Sequence, residues 1–305
     1  MKKNILITGG TGLVGTRLTE MLIQKGYEVN LLSRQAAEGK IKKYRWDLKT
    51  KFIDETALKT ADYIIHLAGA GVFDKRWSAE YKKEIMNSRI DSTSLLFEKL
   101  SSIPHKVKAF VSTSAIGIYG SDTGSDWQTE NAPSGNGFLA EVCRNWEAAI
   151  HPIEDLGIRT AIIRIGIVLS DKGGPLKELS KPINSFIGSP MGRGDQYVSW
   201  IHIDDLCAMY IYAIENESLT GAYNAAAPEP VSNASLTKEI AAVLKKPLWL
   251  PNIPSFVLKL ILGSEKAMVL LGGNRVSSKK ITETGFKFSF PSLKPALIDL
   301  FKDNK

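Results

Sequence analysis

A chain of 305 residues that is 44% hydrophobic and 23% charged is long enough to bury a full α/β core, and its composition is that of a globular protein. No apolar run reaches the roughly 20 residues of a bilayer span, and two cysteines, Cys143 and Cys207, are too few for a disulfide framework and lack metal-ligand spacing. The formal charge of +7 comes from scattered lysine pairs without interleaved aromatics, the pattern of a solvated surface and not of a nucleic-acid face.

The opening "MKKNILITGG" superficially resembles a secretion signal, but its apolar run is short and meets a glycine turn, so 4–8 is read as a first strand. Residues 14–26 carry apolar side chains at helical spacing and stop at Gly26. "YEVNLLSR" (27–34) and "DYIIHLAGA" (62–70) follow as strands, then a long amphipathic helix at 81–102. "KAFVSTSAIGIYG" (108–120) reads as a strand leaving the core, 138–157 as a helix and 159–170 as another strand. Near-continuous apolar strands alternating with helices predict a parallel, doubly wound sheet. Beyond 170 the pattern loosens into a glycine-marked loop; then "VSWIHIDDLCAMYIYAIEN" runs from strand into helix with Asp204 or Asp205 at its start. Residues 221–233 are a strand and an extended loop, followed by two more helices.

"ITGGTGLVG" sets Gly9, Gly12 and Gly15 between the first strand and the first helix. Glycines there let the backbone approach a pyrophosphate, which the helix N-terminus attracts through its open N–H groups and dipole. Gly9, Thr11, Gly12, Leu13 and Val14 are therefore candidate dinucleotide contacts. Where an acidic residue usually holds a free ribose 2′-hydroxyl, the second strand ends in Ser33 and Arg34. An arginine there offers a charged fork to a 2′-phosphate, which points to NADP(H); the alternative is a solvent-facing loop arginine.

These residues resemble an extended, atypical short-chain dehydrogenase/reductase, and more narrowly the "epimerase family" proteins related to NAD(P)-dependent sugar-nucleotide epimerases and dehydratases. The resemblance runs through "TGGTGLVG", "HLAGA", "SWIHIDDL" and "NAAAPEPVSN". "LLGGNRVSSKKITETGFKFSFPSL" resembles the small C-terminal domain of unknown function (DUF1731-like) of those proteins. It implies that Leu67, Ala68 and Gly69 line the ribose and nicotinamide side, that Glu84 and Arg89 face the cofactor, and that Ile167 packs near the nicotinamide. For Arg89 a salt-bridged helix surface is the competing reading.

Such reductases use a Tyr-x-x-x-Lys pair and a serine. Ser114 in "STSAIGIYG" stands where the family places its serine, with Ser112 and Thr113 beside it. The tyrosine and lysine positions fall on Phe138 and Val142. No Tyr occurs between Tyr119 and Tyr197 and no Lys between Lys108 and Lys172, so no shift of alignment restores the pair. Glu141, near Phe138 on the helical wheel, and Tyr119 are the candidate substitutes among catalytic residues, with a surface carboxylate and a packing tyrosine as alternatives. His202 is read as a brace at a helix entry, with a group titrating near neutrality as the alternative, Cys143 as buried, and a Ser114–His202–Asp204 hydrolase triad is discounted for want of a nucleophile elbow.

The expectation is a Rossmann-like doubly wound parallel sheet with a small C-terminal substrate lobe. Residues 1–170, with 199–227 returning, form the NADP(H)-binding domain; 171–198 and 228–305 form the lobe. The function expected is an NADP(H)-dependent oxidoreductase or epimerase-like enzyme on a small carbonyl or sugar-like molecule. The alternative is a non-catalytic NADP(H)-binding redox sensor or scaffold. A cytoplasmic setting is expected, with a small-molecule substrate and neither a nucleic-acid nor a membrane partner.

Overall fold

The computed structural model describes residues 2–302. Its strands are β1 (Asn4–Thr8), β2 (Glu28–Ser33), β3 (Lys42–Asp47), β4 (Phe52–Ile53), β5 (Tyr63–His66), β6 (Ala109–Ala115), β7 (Trp127–Gln128), β8 (Arg159–Ile165), β9 (Ile167–Leu169), β10 (Tyr197–Val198), β11 (Trp200–His202), β12 (Gly221–Ala225), β13 (Val231–Ser232) and β14 (Arg275–Val276). The helices are α1 (Leu13–Gln24), α2 (Glu55–Thr60), α3 (Ala79–Ser102), α4 (Phe138–Ile150), α5 (Gly174–Asn184), α6 (Ile203–Glu215), α7 (Asn233–Val243), α8 (Ser255–Leu262), α9 (Ser264–Leu271), α10 (Lys279–Glu283) and α11 (Leu293–Leu300).

An eight-stranded sheet has the order β12-β8-β6-β5-β1-β2-β3-β4. The pairs β1·β2, β1·β5, β2·β3 and β5·β6 are parallel, and β4 closes one edge antiparallel to β3. The chain steps from β1 outward through β2 and β3, then returns to β5 on the other side of β1. The crevice beyond the carboxyl ends of β1 and β5 is thus the switch point at which open α/β sheets bind ligands. Thr8 and His66, opposite each other in register, mark it.

The chain divides into two compact units: Met1–Ser114, Val142–Ile163 and Cys207–Ala222 in the first, and Ala115–Glu141, Arg164–Leu206 and Tyr223–Lys305 in the second. This division differs from the expected one at 115–141 and in the stretches around 164–170, 199–206 and 223–227. The cause is pairing within the second unit: β7 pairs with β14, and β9 with β11. In the first unit Leu6, Leu58, Ile64, Leu96 and Phe110 are fully buried in one cluster. In the second, Trp200, Ile240, Ala296 and Leu297 are buried.

Two elements are shorter than the sequence suggested. The helix expected over 138–157 is α4 followed by a 3₁₀ segment at His151–Leu156 that carries Pro152, whose missing N–H ends the α ladder. The strand expected over 159–170 breaks at Gly166, where a Cβ would lie 2.4 Å from the Ser199 carbonyl oxygen. In the second unit His202 stacks on Phe290 with ring centroids 4.0 Å apart, and Asp205 accepts the amides of Ser289 and Phe290 at 2.7 and 2.9 Å. The "WIHIDD" residues therefore fasten the chain's C-terminal segment within that unit.

Candidate functional site

The glycine turn is built by close backbone approach. Gly9 has φ of +68°, a region that favours glycine, and the Gly12 amide donates to its carbonyl at 3.0 Å. A Cβ on Gly15 would sit 2.4 Å from the Gly9 oxygen and 2.6 Å from Gly10 Cα, so α1 passes directly against the turn. Gly12 caps α1 without a side chain, and the first-turn residues Leu13, Val14, Gly15 and Thr16 carry no acid. The N–H groups and positive dipole end of α1 are left to an anion.

The residues after β5 are held by a hydroxyl and an imidazole. Thr8 Oγ1 accepts the amides of Leu67 and Ala68, each at 3.1 Å, and donates to His66 Nδ1 at 2.7 Å. Nδ1 is then the acceptor and Nε2 carries the proton, donating toward Ser92 Oγ at 3.1 Å and Thr93 Oγ1 at 3.2 Å. Those hydroxyls donate in turn to the Arg89 carbonyl. Burial, together with the nearby Arg89 charge, lowers the His66 pKa from 6.5 to about 3, so the ring is neutral.

Arg89 is rooted inside the first unit and is not a surface ion pair. Its Nη1 donates to the carbonyls of Ala70 and Ile85 at 3.0 and 2.9 Å, and its guanidinium lies 5.0 Å from the Trp146 ring centroid. A Cβ on Gly69 would come within 3.0 Å of its Cζ. Burial lowers the Arg89 pKa. Glu84, expected on the cofactor side, is exposed, with its Oε2 3.4 Å from Lys75 Nζ. At the end of β2, Ser33, Arg34 and Gln35 line an open cleft, with Arg34 exposed.

Ser114 carries the feature that the sequence did not disclose. Its Oγ donates to Glu147 Oε1 at 2.6 Å, and both residues are buried. A serine has one hydroxyl proton, so one given to a carboxylate is not offered to a substrate carbonyl; what remains on Oγ is acceptor capacity. Ser114→Ala removes the donor and is expected to lower stability by about 1–3 kcal/mol. Glu147→Gln keeps an acceptor there and should cost distinctly less in urea unfolding. Equal losses would refute the assigned direction of the bond.

The other two candidate catalytic residues lie in the second unit and are occupied differently. The Tyr119 hydroxyl donates to Asn224 Oδ1 at 2.7 Å and accepts from Arg164 Nη1 at 3.0 Å, and burial raises its pKa. In this arrangement its proton is engaged by Asn224. Glu141 is exposed in the first turn of α4, where a carboxylate suits the helix dipole. Ile167 begins β9 and is 36% exposed. Cys143 and Cys207 are buried and not joined in a disulfide. Arg193 pairs with Asp195 on the surface, Trp127 is half exposed, and Trp146 and Trp200 are buried.

Comparison with known proteins places this arrangement. The profile of the "NAD dependent epimerase/dehydratase family" matches residues 5–226, which includes the glycine turn, the switch-point loop and Ser114. The chain belongs to that family. A second profile, "Domain of unknown function (DUF1731)", matches residues 253–300 of this epimerase-family chain. "Epimerase family protein YfhF" of Bacillus subtilis is 37% identical over 306 residues, covering 99% of each chain. The crystal structure of human epimerase family protein SDR39U1 (isoform 2) with NADPH is 31% identical with a TM-score of 0.89, covering 98% of this chain and 99% of that one. A nucleoside-diphosphate sugar epimerase from Corynebacterium glutamicum is 34% identical with a TM-score of 0.80, covering 98% of this chain and 58% of that one. Among the described residues no helix is long and apolar enough to cross a membrane, and no group of His, Cys, Asp and Glu is placed to hold a metal.

Proposed function

We propose that this epimerase-family protein is an NADP(H)-dependent oxidoreductase or epimerase-like enzyme acting on a small carbonyl or sugar-like molecule without the usual Tyr-x-x-x-Lys pair. The glycine turn fits a dinucleotide: the backbone approaches too closely for any side chain at Gly15, and the α1 N-terminus presents amides and no acid. Gly9, Thr11, Gly12, Leu13 and Val14 hold the pyrophosphate, Leu67, Ala68 and Gly69 bound the ribose side, and Ser33 and Arg34 receive the 2′-phosphate. A bound nicotinamide supplies hydride transfer. The likeness to a human relative crystallised with NADPH supports this choice of nucleotide. Two buried thiols suit a reducing cytoplasm.

Arg34, exposed on the cleft at the end of β2, is the observation that carries the cofactor preference. Fluorescence titration with NADPH and NADH is the test. NADPH is expected to bind more tightly, and Arg34→Ala to lose roughly ten- to a hundredfold in NADPH affinity, about 1.5–3 kcal/mol for a charged contact, with little change for NADH. An unchanged preference in the variant would remove Arg34 from the site.

The sequence also supports a second reading, a redox sensor or scaffold that binds NADP(H) without turnover: no Tyr occurs between Tyr119 and Tyr197 and no Lys between Lys108 and Lys172, and by the resemblance the dyad positions fall on Phe138 and Val142. A metabolite-pool screen for NADPH consumption separates the two. NADPH turnover by the wild type on any pool component supports the enzyme; binding without turnover supports the sensor.

A further inference from the structure

The second unit exposes several large apolar side chains. Phe186, Ile187, Trp249, Phe256, Leu260 and Ile261 are between 49% and 83% exposed. These residues are linked along one stretch. The Trp249 indole donates to the Phe186 carbonyl at 2.8 Å, residues 189–191 run beside 251–253 through the Ser189–Pro251 bond and the Met191–Ile253 bridge, and α8 starts two residues later. Helix α8, "SFVLKLIL", forms a hairpin with α9 through Gly263. A surface helix normally turns polar residues outward. Here Leu258 is buried, and Phe256 and Leu260 occupy the side opposite it. Exposed large apolar side chains gathered on neighbouring segments are the mark of an interaction site.

Charge selects the occupant. Between residues 244 and 271 Lys245, Lys246 and Lys259 reach the surface against a single exposed acid, Glu265, while Lys266 is buried. Lys245 and Lys259 are exposed, and Lys246 Nζ sits 4.3 Å from the Phe186 ring centroid. Two copies meeting through this face would bring like charges together. An anionic lipid surface satisfies both features, because apolar and aromatic side chains enter the headgroup boundary while lysines meet lipid phosphates. We propose that the α8–α9 hairpin, with Phe186, Ile187 and Trp249, docks the protein peripherally on anionic membranes. The expectation of no membrane partner rested on the absence of a spanning segment, which an interfacial surface does not require.

Co-sedimentation of the full chain with vesicles tests this, using phosphatidylcholine alone and equal parts phosphatidylcholine and phosphatidylglycerol. The wild type is expected to partition onto the anionic vesicles, weakly onto neutral ones, and to release as salt is raised. Leu260→Ser with Ile261→Ser should reduce partitioning at least tenfold. Lys245→Glu with Lys259→Glu should erase the preference for phosphatidylglycerol. NADPH titration of each variant, expected to match the wild type, checks that the fold is intact. Two outcomes overturn the proposal: no partition onto either vesicle, or a dimer by light scattering that the Leu260/Ile261 variant dissociates, which would make a second copy the occupant.

Discussion

Gly15→Ala is expected to abolish dinucleotide binding, lowering NADPH affinity by at least about a hundredfold, or 2.7 kcal/mol. The added methyl would overlap the Gly9 carbonyl oxygen at 2.4 Å and the Gly10 Cα and carbonyl carbon at 2.6 and 2.8 Å, all backbone atoms with no rotamer to yield. The turn must shift away from α1, which separates the amides that an anion would engage. Overpacking of this kind also costs on the order of 3 kcal/mol in stability. Gly12→Ala separates the two effects. A Cβ there meets only the Gly9 oxygen, at 3.3 Å, so the loss of stability should be smaller, about 1 kcal/mol for this contact and the N-cap. Its methyl nevertheless stands where the pyrophosphate would approach the backbone, and a tenfold or greater loss of affinity is expected. NADPH titration with thermal unfolding on both variants reads the distinction. Wild-type binding by Gly12→Ala would mean that the turn is only a turn.

That turn was legible in the sequence because its chemistry is local: a strand, three glycines and a helix lie within a few residues of one another. The same holds for β5 and for Arg34 at the end of β2. What escaped sequence reasoning is set by tertiary contact. Glu147 lies 33 residues from the serine it bonds, inside an apolar helix where its only signal was an acid among "WEAAI". Tyr119 looked available by its spacing from Ser114, yet its hydroxyl is spent on Asn224, 105 residues away. Strand β3, "KKYRWD", was not anticipated because its charged half faces solvent while Tyr44 and Trp46 are buried. Helix α5 lay behind the glycines and Pro175 of a stretch that reads as a loop, although proline suits the first turn of a helix. Long-range strand pairing, β7 with β14, likewise moved 115–141 out of the unit that the alternating pattern assigned to it.

Acid should weaken the fold through His66. Its imidazole is held neutral, with a folded pKa of about 3 against 6.5 for the free side chain. Between those values the unfolded chain binds a proton that the folded chain does not, so stability is fully present above pH 6.5 and falls as pH drops toward 3. The limiting slope is about 1.4 kcal/mol per pH unit, and the whole window is worth on the order of 5 kcal/mol. Protonating Nδ1 would set a donor against the Thr8 hydroxyl, whose own oxygen already accepts the amides of Leu67 and Ala68. The same event would therefore loosen the switch-point loop before the chain unfolds. His66→Asn, in which Oδ1 takes the place of Nδ1 as acceptor, removes the titration while keeping a partner for Thr8. Urea unfolding at pH 7, 6 and 5 should show the wild type losing about 1 kcal/mol per unit more than the variant. Parallel pH profiles for the two proteins would mean that the folded ring already carries its proton, and the Thr8–His66 hydrogen bond would then have to be reassigned.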